Sequence, residues 1–200
     1  MGFLTRNNQQ AQQMSERQLL QNKFASARSN LLLVLVFTVV NIILLVTQSN
    51  TYFLFSAYVP YLLAILGMEM CGMFPDEDYG GDTSGFIFFD TSFLVIMLVI
   101  AAVILALYLL SFIFTKKGKS GWMIFALVLF AIDTVLMVRM ALLGGFSSDM
   151  IMDYIFHAWV LYSLFSGVSA AKKLKALPEE PVVIDVEPVA VEPEEEITAE

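Results

Sequence analysis

The sequence has only one cysteine, Cys71, and one histidine, His157, among its 200 residues. A single cysteine excludes an internal disulfide and a CxxC redox or metal framework. The GxSxG, HExxH, P-loop and GxGxxG patterns are also absent, and His157 has no cysteine or serine at a spacing typical of a catalytic pair. The sequence therefore predicts a protein that is not an enzyme and that needs no cofactor.

Charged residues are scarce as well, because they make up 15% of the chain against 58% hydrophobic residues. That balance is typical of a multi-pass membrane protein rather than a soluble domain. The net charge is −8, but nine of the 19 acidic residues lie in residues 179–200, which contain no Lys or Arg. The remainder carries a net charge of +1, so we expect no basic surface for nucleic acid.

Two polar segments flank the apolar part of the chain. Residues 1–29 are rich in Gln and Asn and contain no apolar core of the kind that a cleaved signal peptide needs, so we expect a polar cytoplasmic segment followed by an uncleaved anchor. Residues 172–200 begin with lysines and continue as a Pro- and Glu-rich stretch, which predicts a disordered cytoplasmic tail. The tail either solvates the protein or docks on a basic partner.

Four runs between these segments meet the requirement of about 20 apolar residues for a helix that crosses a bilayer. They cover about 31–47, 93–114 (or from Phe86), 122–143 and 151–171. A fifth apolar stretch, Thr51–Met70, carries Pro60 near its middle and tyrosines at Tyr52, Tyr58 and Tyr61. Whether that stretch also crosses decides the topology of the chain.

The basic residues favour four spans, because cytoplasmic loops carry the excess of Lys and Arg. Ten basic residues form three clusters: Arg6, Arg17, Lys23 and Arg28; Lys116, Lys117 and Lys119; and Lys172, Lys173 and Lys175. With four spans all three clusters share one side, whereas residues 48–85 and 144–149 on the other side contain no basic residue. With five spans at least one cluster lies on the wrong side.

The sequence thus predicts an all-α integral membrane helical bundle with four transmembrane helices and both termini in the cytoplasm. Residues 51–70 become an outer interfacial or re-entrant helical segment, in which tyrosine rings settle at headgroup depth and Pro60 breaks the backbone ladder. A re-entrant backbone is tolerated only where protein or water covers it. Five transmembrane helices remain the alternative.

The acidic outer loop, 71–85, follows that segment. Met68, Met70, Cys71 and Met73 are soft sulfur ligands of the kind that suit Cu(I), but no histidine accompanies them. Asp76, Asp78 and Asp82 fail the EF-hand pattern, since no Glu closes the loop. We expect a solvated acidic loop without a metal.

Polar residues inside the predicted spans carry an energetic cost and are candidates for a functional site. They form a candidate intramembrane polar network: Asn41, Asp133, Arg139, Asp153 and His157. Folding the last two spans into a hairpin predicts an ion pair between Arg139 and Asp153, with His157 one turn deeper on the way to Asp133. The network is either a proton or cation relay or interhelical hydrogen bonding that holds the bundle together.

Small residues at Ser163, Gly167 and Ala171 predict tight packing within the bundle.

The stretch FHAWVLYSLFSGVSAAKKLKALPEE, residues 156–180, resembles a family of small uncharacterised bacterial multi-pass membrane proteins. In that family a His-Ala-Trp-Val-Leu-Tyr helix runs into a small-residue and Lys-Lys-Leu-Lys exit, and residues 29–61 here look like its N-terminal half. The resemblance covers most of the membrane part but neither the acidic loop nor the distal tail. It implies a location in the bacterial cytoplasmic membrane and supplies no activity.

These observations predict a non-enzymatic accessory or interaction component of the cell membrane. Its expected partners are the lipid bilayer and either a membrane protein or further copies of this chain. The alternative is an oligomeric transporter or channel for protons or small cations that uses Asp133, Asp153 and His157.

Overall fold

The computed structural model describes residues 2–49, 51–115, 120–145 and 150–178, with side chains described from residue 16. Within these ranges the chain forms α-helices and one short 3-10 helix, and no strand. The α-helices are α1 (Gly2–Val46), α2 (Tyr58–Met70), α3 (Thr91–Phe114), α4 (Ser120–Gly144) and α5 (Ile151–Ala176), and the 3-10 helix is Asp76–Tyr79.

Four of these helices are long and apolar enough to cross a membrane: Glu16–Val46 within α1, α3, α4 and α5. The fifth, α2, has only 13 residues and is therefore about 20 Å long, short of the roughly 30 Å of hydrocarbon. The predicted all-α bundle of four potential spans plus a shorter apolar helix is confirmed. The structure does not support the five-span alternative, because α2 is not among the helices long enough to cross and its first turn binds Asp133 near the middle of α4.

The four long helices form a ring in which α1 contacts α5, α5 contacts α4, α4 contacts α3, and α3 contacts α1. The end of the bundle at which α1 ends and α3 begins is called the loop end. The opposite end is called the terminal end. From Thr47 the chain turns back into the bundle, and α2 then runs outward to the loop end while packing mainly on α3. The segment is therefore re-entrant rather than interfacial.

Helix α1 is longer than the predicted first span, because residues 2–30 continue the same helix. The sequence contained a signal for this extension. Leu20, Phe24, Ala27, Leu31 and Val34 are buried at alternating spacings of four and three residues, so one apolar stripe runs from the polar segment into the span. Such a stripe packs along a partner helix, here α5.

The contact between α1 and α5 depends on a missing side chain. A Cβ atom added at Gly167 would lie 2.5 Å from the Cβ of Ala27, so only glycine fits there. Close by, the Asn30 side-chain amide donates to the Ser163 hydroxyl at 2.6 Å. The small residues of α5 thus serve packing within this chain, as small residues commonly do between membrane helices.

Large apolar side chains point outward along the potential spans. Val95, Val99 and Val103 on α3, Val135 on α4 and Phe165 on α5 are each more than half exposed. A water-soluble bundle would bury such a surface, whereas lipid accepts it. The exposure pattern therefore fits a protein embedded in a membrane.

The loop between α2 and α3 is acidic and solvated, with Asp76, Glu77, Asp78 and Asp82 all exposed. Asp90 caps α3 by accepting hydrogen bonds from the Ser92 hydroxyl and backbone N–H, and these bonds lower the pKa of its carboxyl. The predicted disordered tail, 172–200, is wrong for its first residues, because α5 continues through the lysines to Ala176. Residues 179–200 and the cluster of Lys116, Lys117 and Lys119 lie outside the described residues.

Candidate functional site

The N-terminus of α2 lies about halfway down the bundle, beside Asp133 in the middle of α4. A helix begins with four N–H groups that lack an intrahelical acceptor. In α2 these belong to Ala57, Tyr58, Val59 and Pro60, and proline has no N–H. The other three donors therefore need acceptors from neighbouring helices.

Two spanning helices supply those acceptors. The Asp133 carboxylate of α4 accepts the Tyr58 N–H at 2.9 Å through Oδ2 and the Val59 N–H at 2.8 Å through Oδ1. The Thr38 hydroxyl of α1 accepts the Ala57 N–H at 2.7 Å and donates to the Val34 carbonyl. A negative charge at a helix N-terminus is also favoured by the helix dipole. Asp133 is thus a cap supplied to α2 from another helix.

The prediction that Pro60 breaks the backbone ladder near the middle of the segment is wrong. Pro60 stands in the first turn of α2, where its fixed φ and missing N–H suit a helix start. The helical hydrogen bonding is interrupted before Pro60, in the non-helical residues 51–57. Proline at a helix start was the available sequence signal.

Asn41 of α1 binds the backbone of residues 51–57, as Asp133 and Thr38 bind the start of α2. Its side-chain amide donates to the Phe53 carbonyl at 2.6 Å and accepts the Phe53 N–H at 2.8 Å, so one side chain satisfies both backbone groups of that residue. Phe55 has φ of 79°, unusual for a bulky residue, and its ring packs edge-on against Phe156 with centroids 4.4 Å apart. The non-helical residues 51–57 therefore lie between α1 and α5.

His157 joins Asp133 from the other side. Its Nδ1 lies 2.8 Å from the backbone carbonyl oxygen of Asp153, which can only accept, so Nδ1 carries a proton. Its Nε2 lies 3.3 Å from Asp133 Oδ2, so a second proton must sit between these two atoms for a hydrogen bond to form. Asp133 and His157 thus form a buried polar contact between α4 and α5.

A cavity of about 390 Å³ opens beside this cap, between α2, α4 and α5. Its polar lining consists of Tyr52, Ser56, Tyr58, Tyr61, Asp153 and His157. Its apolar lining consists of Leu62, Ile65, Met137 and Met150. The volume and the mixture of apolar walls with a few polar groups are typical of ligand pockets in proteins.

The structure brings together only part of the predicted polar network. Asp133 and His157 are in contact, Asn41 binds the neighbouring backbone, and Asp153 lines the cavity. The predicted ion pair between Arg139 and Asp153 does not form: no ion pair joins them in the described part of the chain, and the Arg139 side chain is exposed. Equal depth on two helices did not make the two side chains face each other.

Several site residues were missed by the sequence analysis. Thr38 looks ordinary within an apolar span, Ser56 was not singled out, and the rings of Tyr52, Tyr58 and Tyr61 were expected at headgroup depth. The signal that could have found Thr38 is its spacing, because Val34, Thr38 and Asn41 continue the buried stripe of α1. A polar residue on a buried stripe needs a partner inside the bundle.

The sulfur side chains of the stretch from Met68 to Met73 do not share one face. Met68 is fully buried whereas Met70 is exposed, so these side chains lie on different faces of α2. The Cys71 thiol contacts the Asp90 carbonyl at 3.4 Å. Across the described ranges, no group of three or more His, Cys, Asp or Glu residues could hold a metal ion.

Comparisons with protein-family models, with curated proteins and with solved structures found no match for this chain.

Proposed function

We propose that the protein is a non-enzymatic accessory or interaction component of a cell membrane, which acts by binding a small ligand in the cavity at the loop end. The observation that carries this proposal is the way the cavity wall is fixed. Asp133 and Thr38 use their acceptors on the start of α2, so they serve to hold a wall in place rather than to react.

The geometry favours binding over catalysis. No nucleophile stands beside a base at the cavity: among its lining residues, Ser56 shares a hydrogen bond with the Tyr52 hydroxyl at 2.9 Å, and His157 is engaged on both ring nitrogens. A preformed cavity of this size needs no closing lid to hold a small organic molecule.

A ligand screen tests the proposal. Purified protein in dodecyl maltoside would be heated with a library of small organic fragments, and ligands are expected to raise the midpoint of thermal unfolding. Ile65→Trp fills the cavity and should abolish these shifts. Val103→Trp adds the same side chain on an exposed face of α3 and should preserve them. Shifts that persist in Ile65→Trp, or none with the wild type, would contradict the proposal.

A second candidate function is an oligomeric transporter or channel for protons or small cations. The observation that favours it is His157, which lines the cavity while its Nε2 contacts Asp133. A proton that enters the cavity could thus reach a carboxylate about halfway along α4. Continuation beyond Asp133 would require further partners toward the terminal end.

Two variants separate the relay from the structural role. Asp133→Asn removes a proton site and weakens the cap of α2, whereas Thr38→Val weakens the same cap and removes no titratable group. In liposomes, a relay predicts that pH-driven flux is lost in Asp133→Asn and retained in Thr38→Val. Equal flux in both variants would contradict the relay.

We further propose that the protein lies in the bacterial cytoplasmic membrane with both termini in the cytoplasm. The distribution of basic residues and the resemblance of residues 156–180 to small bacterial membrane proteins support this orientation. Single cysteines at Ser15 and at Ala199, each in a Cys71→Ser background, should react with a membrane-impermeant maleimide only after cell lysis. Labelling of either position in intact cells would contradict the proposal.

A further inference from the structure

One carboxylate in the cavity has no hydrogen-bond partner. The Asp153 side chain is half-buried and makes no hydrogen bond with any residue that the structure describes. The remaining polar lining consists of the His157 ring, three phenol hydroxyls and one serine hydroxyl. The cavity therefore presents a carboxylate whose oxygens are available to a cationic group that enters it.

The aromatic lining offers a second attraction for a cation. Tyr52 and Tyr61 have ring centroids 5.2 Å apart, and Tyr58 lines the same cavity. Aromatic faces attract ammonium groups, and the attraction grows when the site excludes water. Carboxylate and aromatic rings together are a combination that recognises organic ammonium ions.

The size and apolar walls exclude simpler occupants. The cavity of about 390 Å³ is far larger than a bare metal ion fills. The cavity has a single carboxylate, whereas Ca²⁺ takes six or more oxygen ligands. Leu62, Ile65, Met137 and Met150 instead suit an apolar body.

We propose that this cavity binds a small organic cation, whose amine or quaternary ammonium group lies at Asp153 and Tyr61 and whose apolar body lies against the aliphatic wall. This inference rests on the proposed binding function and names the ligand class. The ammonium group belongs either to a free amine or to the headgroup of a lipid such as phosphatidylethanolamine, because Asp153 lies in the first turn of α5 near the loop end.

Two probes of the same shape test the role of charge. Choline and 3,3-dimethylbutan-1-ol differ chiefly in whether the branched end carries a positive charge. Calorimetric titration of the full-length protein in dodecyl maltoside should give choline an affinity at least about tenfold higher than its neutral analogue, as expected for one charged contact. Phosphatidylethanolamine and phosphatidylglycerol, added separately and observed by native mass spectrometry, show whether a lipid headgroup is the source.

The variants follow from the geometry. Asp153→Asn should lower choline affinity about tenfold or more without affecting the neutral analogue, while Asp153→Glu should retain binding. Tyr61→Leu should lower choline affinity by about two- to tenfold. Asp78→Asn removes an exposed loop carboxylate and should change nothing. Circular dichroism of each variant verifies that it is folded.

The outcomes separate the two proposals. Equal affinities for the two probes, or choline and phosphatidylethanolamine binding that survives Asp153→Asn, would overturn the cation inference. If neutral fragments raise the unfolding temperature of the wild type but not of Ile65→Trp, the binding function stands without it. If no ligand of any charge binds, both proposals fail.

Discussion

The two ends of the contact between α1 and α5 are built in opposite ways. Toward the terminal end the helices touch, because Gly167 presents no side chain to Ala27. Toward the loop end the ring of Phe55 lies between the helices, against Phe37 of α1 and Phe156 of α5. The same pair of helices thus packs directly at one end and encloses a non-helical segment at the other.

This difference explains where the polar residues lie. Direct packing needs small side chains and few hydrogen bonds. An inserted backbone needs acceptors and donors from its neighbours, since lipid offers none. Asn41, Thr38 and Asp133 all bind the inserted segment. A carboxylate inside a membrane is commonly interpreted as a transport residue, and here its observed contacts are with a helix start and a histidine.

The largest effect is expected at the loop end from Asp133→Leu. The variant removes the acceptor of the Tyr58 and Val59 N–H groups and leaves His157 without its partner. Breaking a buried hydrogen-bonded pair costs about 3 to 5 kcal/mol. The free energy of unfolding in mixed micelles, titrated with sodium dodecyl sulfate, should fall by that amount, and the α2 amides should exchange faster.

The neighbouring residue provides the control for that experiment. Thr134→Val removes a hydroxyl that bonds only to the Phe130 carbonyl of its own helix. It should change stability by less than about 0.6 kcal/mol, the average for side-chain hydrogen bonds in membrane bundles. Similar losses of unfolding free energy in both variants would show that Asp133 stabilises the fold no more than an ordinary side-chain hydrogen bond does.

At the terminal end, Gly167→Ala should cost about 2 kcal/mol, because the added Cβ forces the two helices apart. Combining it with Ala27→Gly moves the Cβ from one helix to the other and should recover most of the loss. Gly121→Ala on α4, where the new Cβ meets no atom within 4 Å, is the matched control. The same unfolding titration is applied to the wild type, Gly167→Ala, Ala27→Gly, the double variant and Gly121→Ala, and additive losses in the double variant would contradict direct contact.

A smaller loss is expected from Asn41→Leu, which keeps the branched shape and the number of heavy atoms of the side chain and removes both bonds to Phe53. The unpaired backbone groups should cost about 1 to 2 kcal/mol. Asn22→Leu, on an exposed part of α1, should cost nothing measurable. If Asn41→Leu does not change the free energy of unfolding, the Phe53 N–H and carbonyl groups must have other hydrogen-bond partners.

The two ends also differ in how far the sequence predicts them. Four long apolar helices follow from run lengths, and the failure of Thr51–Met70 to cross followed from lysines and arginines far outside that stretch. Gly167 was predictable as a packing residue because small residues repeat every four positions. The terminal end therefore follows from local patterns and composition.

The loop end depends on contacts that the sequence does not reveal. Asp133 lies 75 residues from Tyr58, and no local pattern links a carboxylate on one helix to the first turn of another. Placing Arg139 and Asp153 at one depth ignored rotation about the helix axes, so the predicted pair failed. Helix rotation is set by packing of all neighbours together, which requires the tertiary structure.

The smallest effect, and the only expected gain, concerns Tyr108 on α3. Its ring packs edge-on against Phe130, and it is buried with a hydroxyl that has no hydrogen-bond partner in the described part of the chain. Tyr108→Phe keeps the ring and removes an unsatisfied polar group, so stability should rise by up to about 1 kcal/mol. A loss of stability in the unfolding titration would instead show that a water molecule or a bound ligand satisfies this hydroxyl. In that case the polar interior would extend beyond Asp133 toward the terminal end, which is the continuation that the relay needs.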